Sequence, residues 1–273
     1  MISLLRSETK RLLARRMTLL FPGVLMLLIV GGAVIAYFVI SNDDDNSPDF
    51  VNDIAGGPEA TDMLGLIAFL IPVMAFVIGA SSIGADLKTG MVEQILTWEP
   101  RRLRFFSARC FAGFVGVAVA AILVSIVFVA VMFGLAAATG TTGGTTSEFW
   151  SNVLVAVGRT GLAAGLFAIF GLGVTLLVNS SVGAIVGFVI YFFIVENFLL
   201  SAFLPKVAAW LPITNTSAFA AGVDVEQVEG SVFTENVETV VSHGYVTAGF
   251  ILAGWSLLAA VLALIVFRRR DVA

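Results

Sequence analysis

The chain has 273 residues, of which 59% are hydrophobic and only 12% charged, and its mean hydropathy of +1.01 excludes an ordinary soluble domain. A single histidine, His243, and a single cysteine, Cys110, exclude multi-histidine metal motifs and an intrachain disulfide. The net charge of -4 hides a segregation of basic and acidic residues along the chain, and no nucleic-acid partner is expected.

Residues 1–16 form a basic amphipathic segment, with Ile2, Leu5, Leu12 and Leu13 on one helical face and Arg6, Lys10, Arg11 and Arg15 largely off it. Such a helix lies in the plane of the lipid headgroups. The uncharged run 17–40 follows, long enough to cross ~30 Å of hydrocarbon at ~1.5 Å per residue. It reads as an uncleaved first span with the N-terminus inside, because a signal peptide has a shorter apolar region and a small-residue cleavage site. From Ser41 to Asp62 the chain has seven acidic residues' worth of negative charge and no Lys or Arg, which predicts a solvated external loop. Within it, Asp43, Asp44, Asp45 and Asn46 read as solvated side chains without placed co-ligands for a cation. The second span is expected over 63–85, with Pro72 tolerated inside it.

The stretch 84–109 is the long polar interruption that also carries a basic cluster, so it is expected in the cytoplasm. Leu87, Met91 and Ile95 recur every fourth residue, with Val92 and Leu96 beside them, and Pro100 ends the segment. This spacing predicts a short amphipathic helix. Lys88, Glu93 and Glu99 are left to face water or a partner, and Arg101, Arg102, Arg104 and Arg109 follow at the membrane surface. Lys88 and Thr89 within GADLKTG lack the preceding glycine and strand of a phosphate-binding loop, so no nucleotide site is expected in this chain.

The third span is expected over 110–139, and the Gly/Thr/Ser linker 140–147 reads as an external turn. Residues 148–159 read as an interfacial helix anchored by Phe149 and Trp150. The uncharged run after it is broken by Asn179, Ser180 and Ser181 into spans over 160–178 and 182–200. Two spans here, counted with the others, leave Arg268, Arg269 and Arg270 inside. The acidic segment 201–243 contains Leu204, Pro205, Leu211 and Pro212 among apolar residues, which predicts short helices dipping into the outer leaflet. Residues 245–267 form the sixth span. The fold expected is therefore a single all-α transmembrane domain with both termini cytoplasmic in the cell membrane, and every Lys and Arg but Arg159 and Lys206 inside.

Several motifs suggest chemistry and give way to simpler readings. Gly79, Ala80, Ser81 and Ser82 fit a GxSx pattern, but Ser81 and His243 lie at opposite ends of their spans, out of reach of the ~3 Å that a nucleophile and its base require. The GxxxG pairs Gly161/Gly165 and Gly183/Gly187 are expected to bring helices close. Glu196 is the one acid inside a predicted span, ~21 Å from the turn that starts it. With Asn197 it either caps a helix break or lines a substrate route.

Taken together, this layout resembles the membrane subunit of a type-2 ABC exporter, over nearly the whole chain. The most specific stretch is 84–109, where Asp86, Gly90, Glu93, Leu96, Pro100, Arg101 and Arg102 are similar to the family's acidic-Gly-Glu, Leu and Pro-Arg pattern; Trp98 and Glu99 are a local variation. Leu204-Pro205 and Leu211-Pro212 give a second match. The resemblance implies two membrane subunits, identical or paralogous, paired with two separate ATPase subunits that bind ATP and Mg. It implies that a helix over 85–99 docks on the ATPase, with Asp86, Lys88, Met91, Glu93, Ile95, Glu99, Arg101 and Arg102 as the coupling residues, and that the cargo is a drug, lipid or peptide antibiotic. The alternatives are an ion-coupled secondary transporter, which usually places titratable groups near the midplane on repeated broken helices, and a scaffold or sensor that binds an ATPase without transport.

Overall fold

Uncharged runs of this length satisfy their backbone only by coiling on themselves where water is absent. A computed structural model describes residues 16–42, 63–89, 102–139, 146–200, 203–229 and 238–269. Its long helices are α1 (Arg16–Asn42), α2 (Met63–Lys88), α3 (Arg102–Thr139) and α4 (Ser147–Val178). Next comes α5 (Ser181–Ile190), which runs on directly as a π-helix over Tyr191–Leu200. Short helices α6 (Pro205–Ala208) and α7 (Pro212–Ala221) precede strands β1 (Val225–Glu229) and β2 (Glu238–His243), and α8 (Tyr245–Arg269) follows.

The stretches Leu103–Leu135, Ser147–Val178, Ser181–Leu200 and Tyr245–Arg269 are long and apolar enough to cross a membrane. Leu20–Ile35 and Leu70–Gly84, within α1 and α2, are shorter apolar segments. The chain is thus a predominantly helical protein with the features of a multi-pass membrane protein.

The bundle is built around α4, which packs against α2, α3 and α8. Lipid tails are as apolar as leucine, so helices associate there through close fit and not through exclusion of water. Small residues supply that fit. A Cβ added at Gly79 would stand 2.2 Å from the carbonyl oxygen of Ala168, at Gly171 2.6 Å from that of Phe76, and at Gly173 2.8 Å from the carbonyl carbon of Ala259. Between these contacts Phe76 and Phe188 stack at 3.9 Å, with Phe167 edge-on to Phe188 at 5.7 Å. The first GxxxG pair behaves as expected, Gly161 lying on Ile122 and Gly165 on Phe114. At the second pair, among the described residues, a Cβ at Gly187 would meet nothing within 4 Å, and the atoms nearest one at Gly183 belong to Val178 and Ser180 of its own turn.

Three expected boundaries change. The interfacial helix 148–159 and the span 160–178 are one helix of 32 residues, because Arg159 finds partners in the fold and its charge interrupts nothing. The predicted docking helix over 85–99 begins as the last turn of α2, which runs to Lys88. The acidic segment is not wholly helical and loop: β1 and β2 pair antiparallel, from Val225 opposite His243 to Glu229 opposite Glu238, with an irregularity between Gln227 and Val228. This hairpin is a small addition to a chain that is otherwise helical, as expected. An isolated two-stranded hairpin is marginal, and here Val225 anchors it by burial against Ala209, Ala218 and Ala248.

The turn at 179–181 forms as expected. Asn179 adopts φ 58° and ψ 23°, and the Ser180 side chain accepts the Gly183 amide at 3.1 Å to start α5. Asparagine tolerates the left-handed region better than other residues with a Cβ.

Candidate functional site

Two clusters of charge occupy opposite ends of the bundle. At the end where α2 stops and α3 begins, Asp86 and Arg109 are 5% and 4% exposed. Arg109 Nη2 donates to Asp86 Oδ2 and to the Ser82 carbonyl, and its guanidinium lies 6.0 Å from the Phe105 ring. A buried guanidinium is tolerable only when a carboxylate and further acceptors replace its water. The pair therefore ties the last turn of α2 to the start of α3, closing the base of the segment between them.

Arg109, expected among the basic residues that follow the segment, is buried in the bundle, and Asp86, expected as a coupling residue, is held there by its guanidinium. Leu87, first member of the apolar stripe, likewise turns inward against Ile83, Phe105, Phe106, Leu172, Leu176, Ala263 and Phe267. Lys88 closes α2 and Arg102 opens α3. Met91, Glu93, Ile95, Glu99 and Arg101 lie outside the described residues, as do Asp43 to Asn46 and the segment 1–15.

At the other end, Glu196 is 1% exposed on the π-helix that completes α5. Its Oε1 accepts the backbone N–H of Thr214 at 2.6 Å and the Thr214 hydroxyl at 3.0 Å. Thr214 stands in the first turn of α7, whose N-cap, Leu211, has no side chain able to cap. Glu196 thus supplies from another helix the carboxyl acceptor that the N-terminus of α7 lacks. Its Oε2 makes no hydrogen bond among the described residues. Asn197 is in the same π-helix.

The far end of α7 meets the opposite charge. Arg159 of α4 donates from Nη2 to the Ala221 carbonyl at 3.3 Å, and its guanidinium lies 5.1 Å from the Tyr245 ring. Gly222 ends α7 at φ 79°, and a Cβ there would stand 2.1 Å from Arg159 Nη2. Asn215 in the middle of α7 donates from Nδ2 to the carbonyls of Ala209 and Leu211, leaving Oδ1 to meet His243 Nε2 at 2.9 Å. Since Oδ1 only accepts, Nε2 is the protonated nitrogen. The imidazole stacks on Trp210 at 5.4 Å, the Trp210 carbonyl accepts Trp255 Nε1 at 2.9 Å, and Asp224 accepts the Tyr245 amide that starts α8 at 3.1 Å.

Sequence reading singled out Glu196 and left open whether it caps a helix break or lines a route; it did not name α7, whose first turn the carboxyl meets. It missed Arg159, Thr214, Asn215 and His243 as members of one cluster; the available signal was Arg159 itself, a lone cation deep in an apolar run. Of the GxSx serines, Ser81 and Ser82 donate to the Ile78 and Gly79 carbonyls of their own helix at 3.0 and 2.6 Å. No curated protein matches the chain. A family described as a protein of unknown function, DUF2705, has a model that matches residues 24–273, and the chain belongs to that family.

Proposed function

We propose that this chain is the membrane subunit of an ATP-driven exporter of the type-2 ABC kind. In this reading the helices make six spans in the cell membrane with both termini cytoplasmic, and the end of Arg109, the arginine-bearing end because Arg102, Arg104, Arg268 and Arg269 also stand there, faces the cytoplasm. The segment between α2 and α3 docks on two ATPase subunits, which hold ATP and Mg, and a second copy or a paralogue completes the path for a hydrophobic or amphipathic cargo.

The observation that supports it is the buried pair of Asp86 and Arg109. A docking segment transmits force only if its two ends are held, and this pair fastens both ends to each other and, through α2, to the central helix α4. A merely solvated loop has no use for a buried charge at its base, which is expensive to keep.

The test is co-purification of the ATPase, followed by ATPase and transport assays in vesicles. Met91→Asp is expected to place a charge in an apolar contact, at a cost of several kcal/mol, and to lose the ATPase. Glu93→Ala is expected to keep assembly and weaken the link between hydrolysis and transport. A Met91→Asp protein that retains its ATPase and transports normally refutes the reading. An ion-coupled secondary transporter is the second reading, favoured by the burial of the titratable Glu196 inside an apolar helix; transport driven by an ion gradient without ATP would select it.

A further inference from the structure

At the arginine-bearing end an apolar groove of about 480 Å³ runs between α3, α4 and α8, walled by Phe106, Cys110, Phe114, Leu166, Ala260 and Leu264. It opens sideways, where Phe111 and Leu257 on its rim are 56% and 65% exposed. Its hydroxyls are already engaged: Ser107 donates to the Arg104 carbonyl at 3.1 Å, and Ser256 to the carbonyls of Leu166 and Leu252 at 2.8 and 2.9 Å. The wall therefore suits hydrocarbon.

The foot of the groove has the opposite character. There α3 and α8 meet through Phe105 and Phe267, stacked at 6.4 Å, and an arginine follows or precedes each ring. Helical spacing puts Arg104 on the face of Ser107 and Phe111, and Arg268 on the face of Val261 and Leu264, all four of them wall residues. Hydrocarbon above and guanidinium below is the order of groups in an anionic phospholipid, read from chain to headgroup.

We propose that this groove binds an anionic phospholipid, its acyl chain along α3 and α8 and its phosphate at Arg104 and Arg268. The charge at the foot selects this occupant over a zwitterionic lipid, whose headgroup carries its own cation. The site does not depend on the transport reading.

The experiment is native mass spectrometry of the delipidated full chain, titrated with phosphatidylglycerol and with phosphatidylcholine of the same acyl chains. Wild type is expected to bind phosphatidylglycerol more tightly. Arg104→Gln and Arg268→Gln should each weaken it by about fivefold, the equivalent of ~1 kcal/mol per basic residue, and leave phosphatidylcholine unchanged. Ala260→Trp, which fills the groove, should weaken both lipids. Circular dichroism and a single elution peak establish that each variant is folded, and the arginine variants decide alone if the tryptophan variant is not. Equal affinity for the two lipids, arginine variants with no effect, or a Cys110–Cys110 crosslinked dimer that excludes lipid would overturn the proposal.

Discussion

The two ends of the bundle hold one acid and one base each, all buried except the half-buried Arg159, and use them differently. Asp86 and Arg109 meet directly, so each exists to neutralise the other. Glu196 and Arg159 never touch in this network; the ten-residue helix α7 lies between them, its N-terminus on the carboxylate and its C-terminus on the guanidinium. The first pair is a clamp between two long helices, and its members are worthless singly. The second is a socket for a helix dipole, and each member is useful alone, because a helix end offers a half-charge and unpaired N–H or C=O groups whatever stands at the other end.

That difference can be broken by removing one charge at a time. Arg109→Met leaves Asp86 buried without its cation and is expected to cost about 3–5 kcal/mol, seen as a large drop in melting temperature in detergent. Adding Asp86→Leu should recover most of it, since an apolar pair of similar volume replaces a buried ion pair at little loss; failure to recover would mean the two charges are not one unit. At the other end, Glu196→Ala should cost about 1–2 kcal/mol and speed hydrogen exchange at the Thr214 amide. Arg159→Met should cost about 0.3–1 kcal/mol, and the two losses should add, unlike those of the clamp.

The smallest effect belongs to His243. Burial holds its imidazole below the ordinary value of 6.5, with the negative charge of Asp224 offsetting part of the shift. The fold favours the neutral ring while the unfolded chain takes up a proton, so the contribution is full above 6.5 and is lost as pH falls through the lowered folded value. Melting temperatures between neutral and mildly acidic pH should decline, and His243→Gln should flatten that part of the slope.

Hydropathy made the apolar runs legible, because a span's requirement is additive over many residues and survives local exceptions. The break at Asn179 was legible for a local reason, its tolerance of positive φ. The clamp was not, since Asp86 and Arg109 lie on different helices and nothing in either neighbourhood names the other. Arg159 misled the reading because a charge normally marks the edge of a span, whereas here a helix end and the Tyr245 ring receive it. The π register of 191–200 leaves no trace in an apolar run whose residues suit any helix. The hairpin was obscured by the acidic residues of β1 and β2, which read as solvated chain although Val225 goes inside.

The glycine contacts of α2 oppose approach and not separation. A Cβ at Gly84 would stand 2.1 Å from Ser181 Cβ, and one at Gly79 2.2 Å from the Ala168 oxygen, so the bare backbone is already at its limit against α5 on one side and α4 on the other. Further approach meets steep repulsion, and sliding brings a side-chain-bearing neighbour to the same contact, while separation meets neither. In mechanical terms α2 is a rod between two stops, and a displacement of its Asp86 end is shared with its neighbours or parts them.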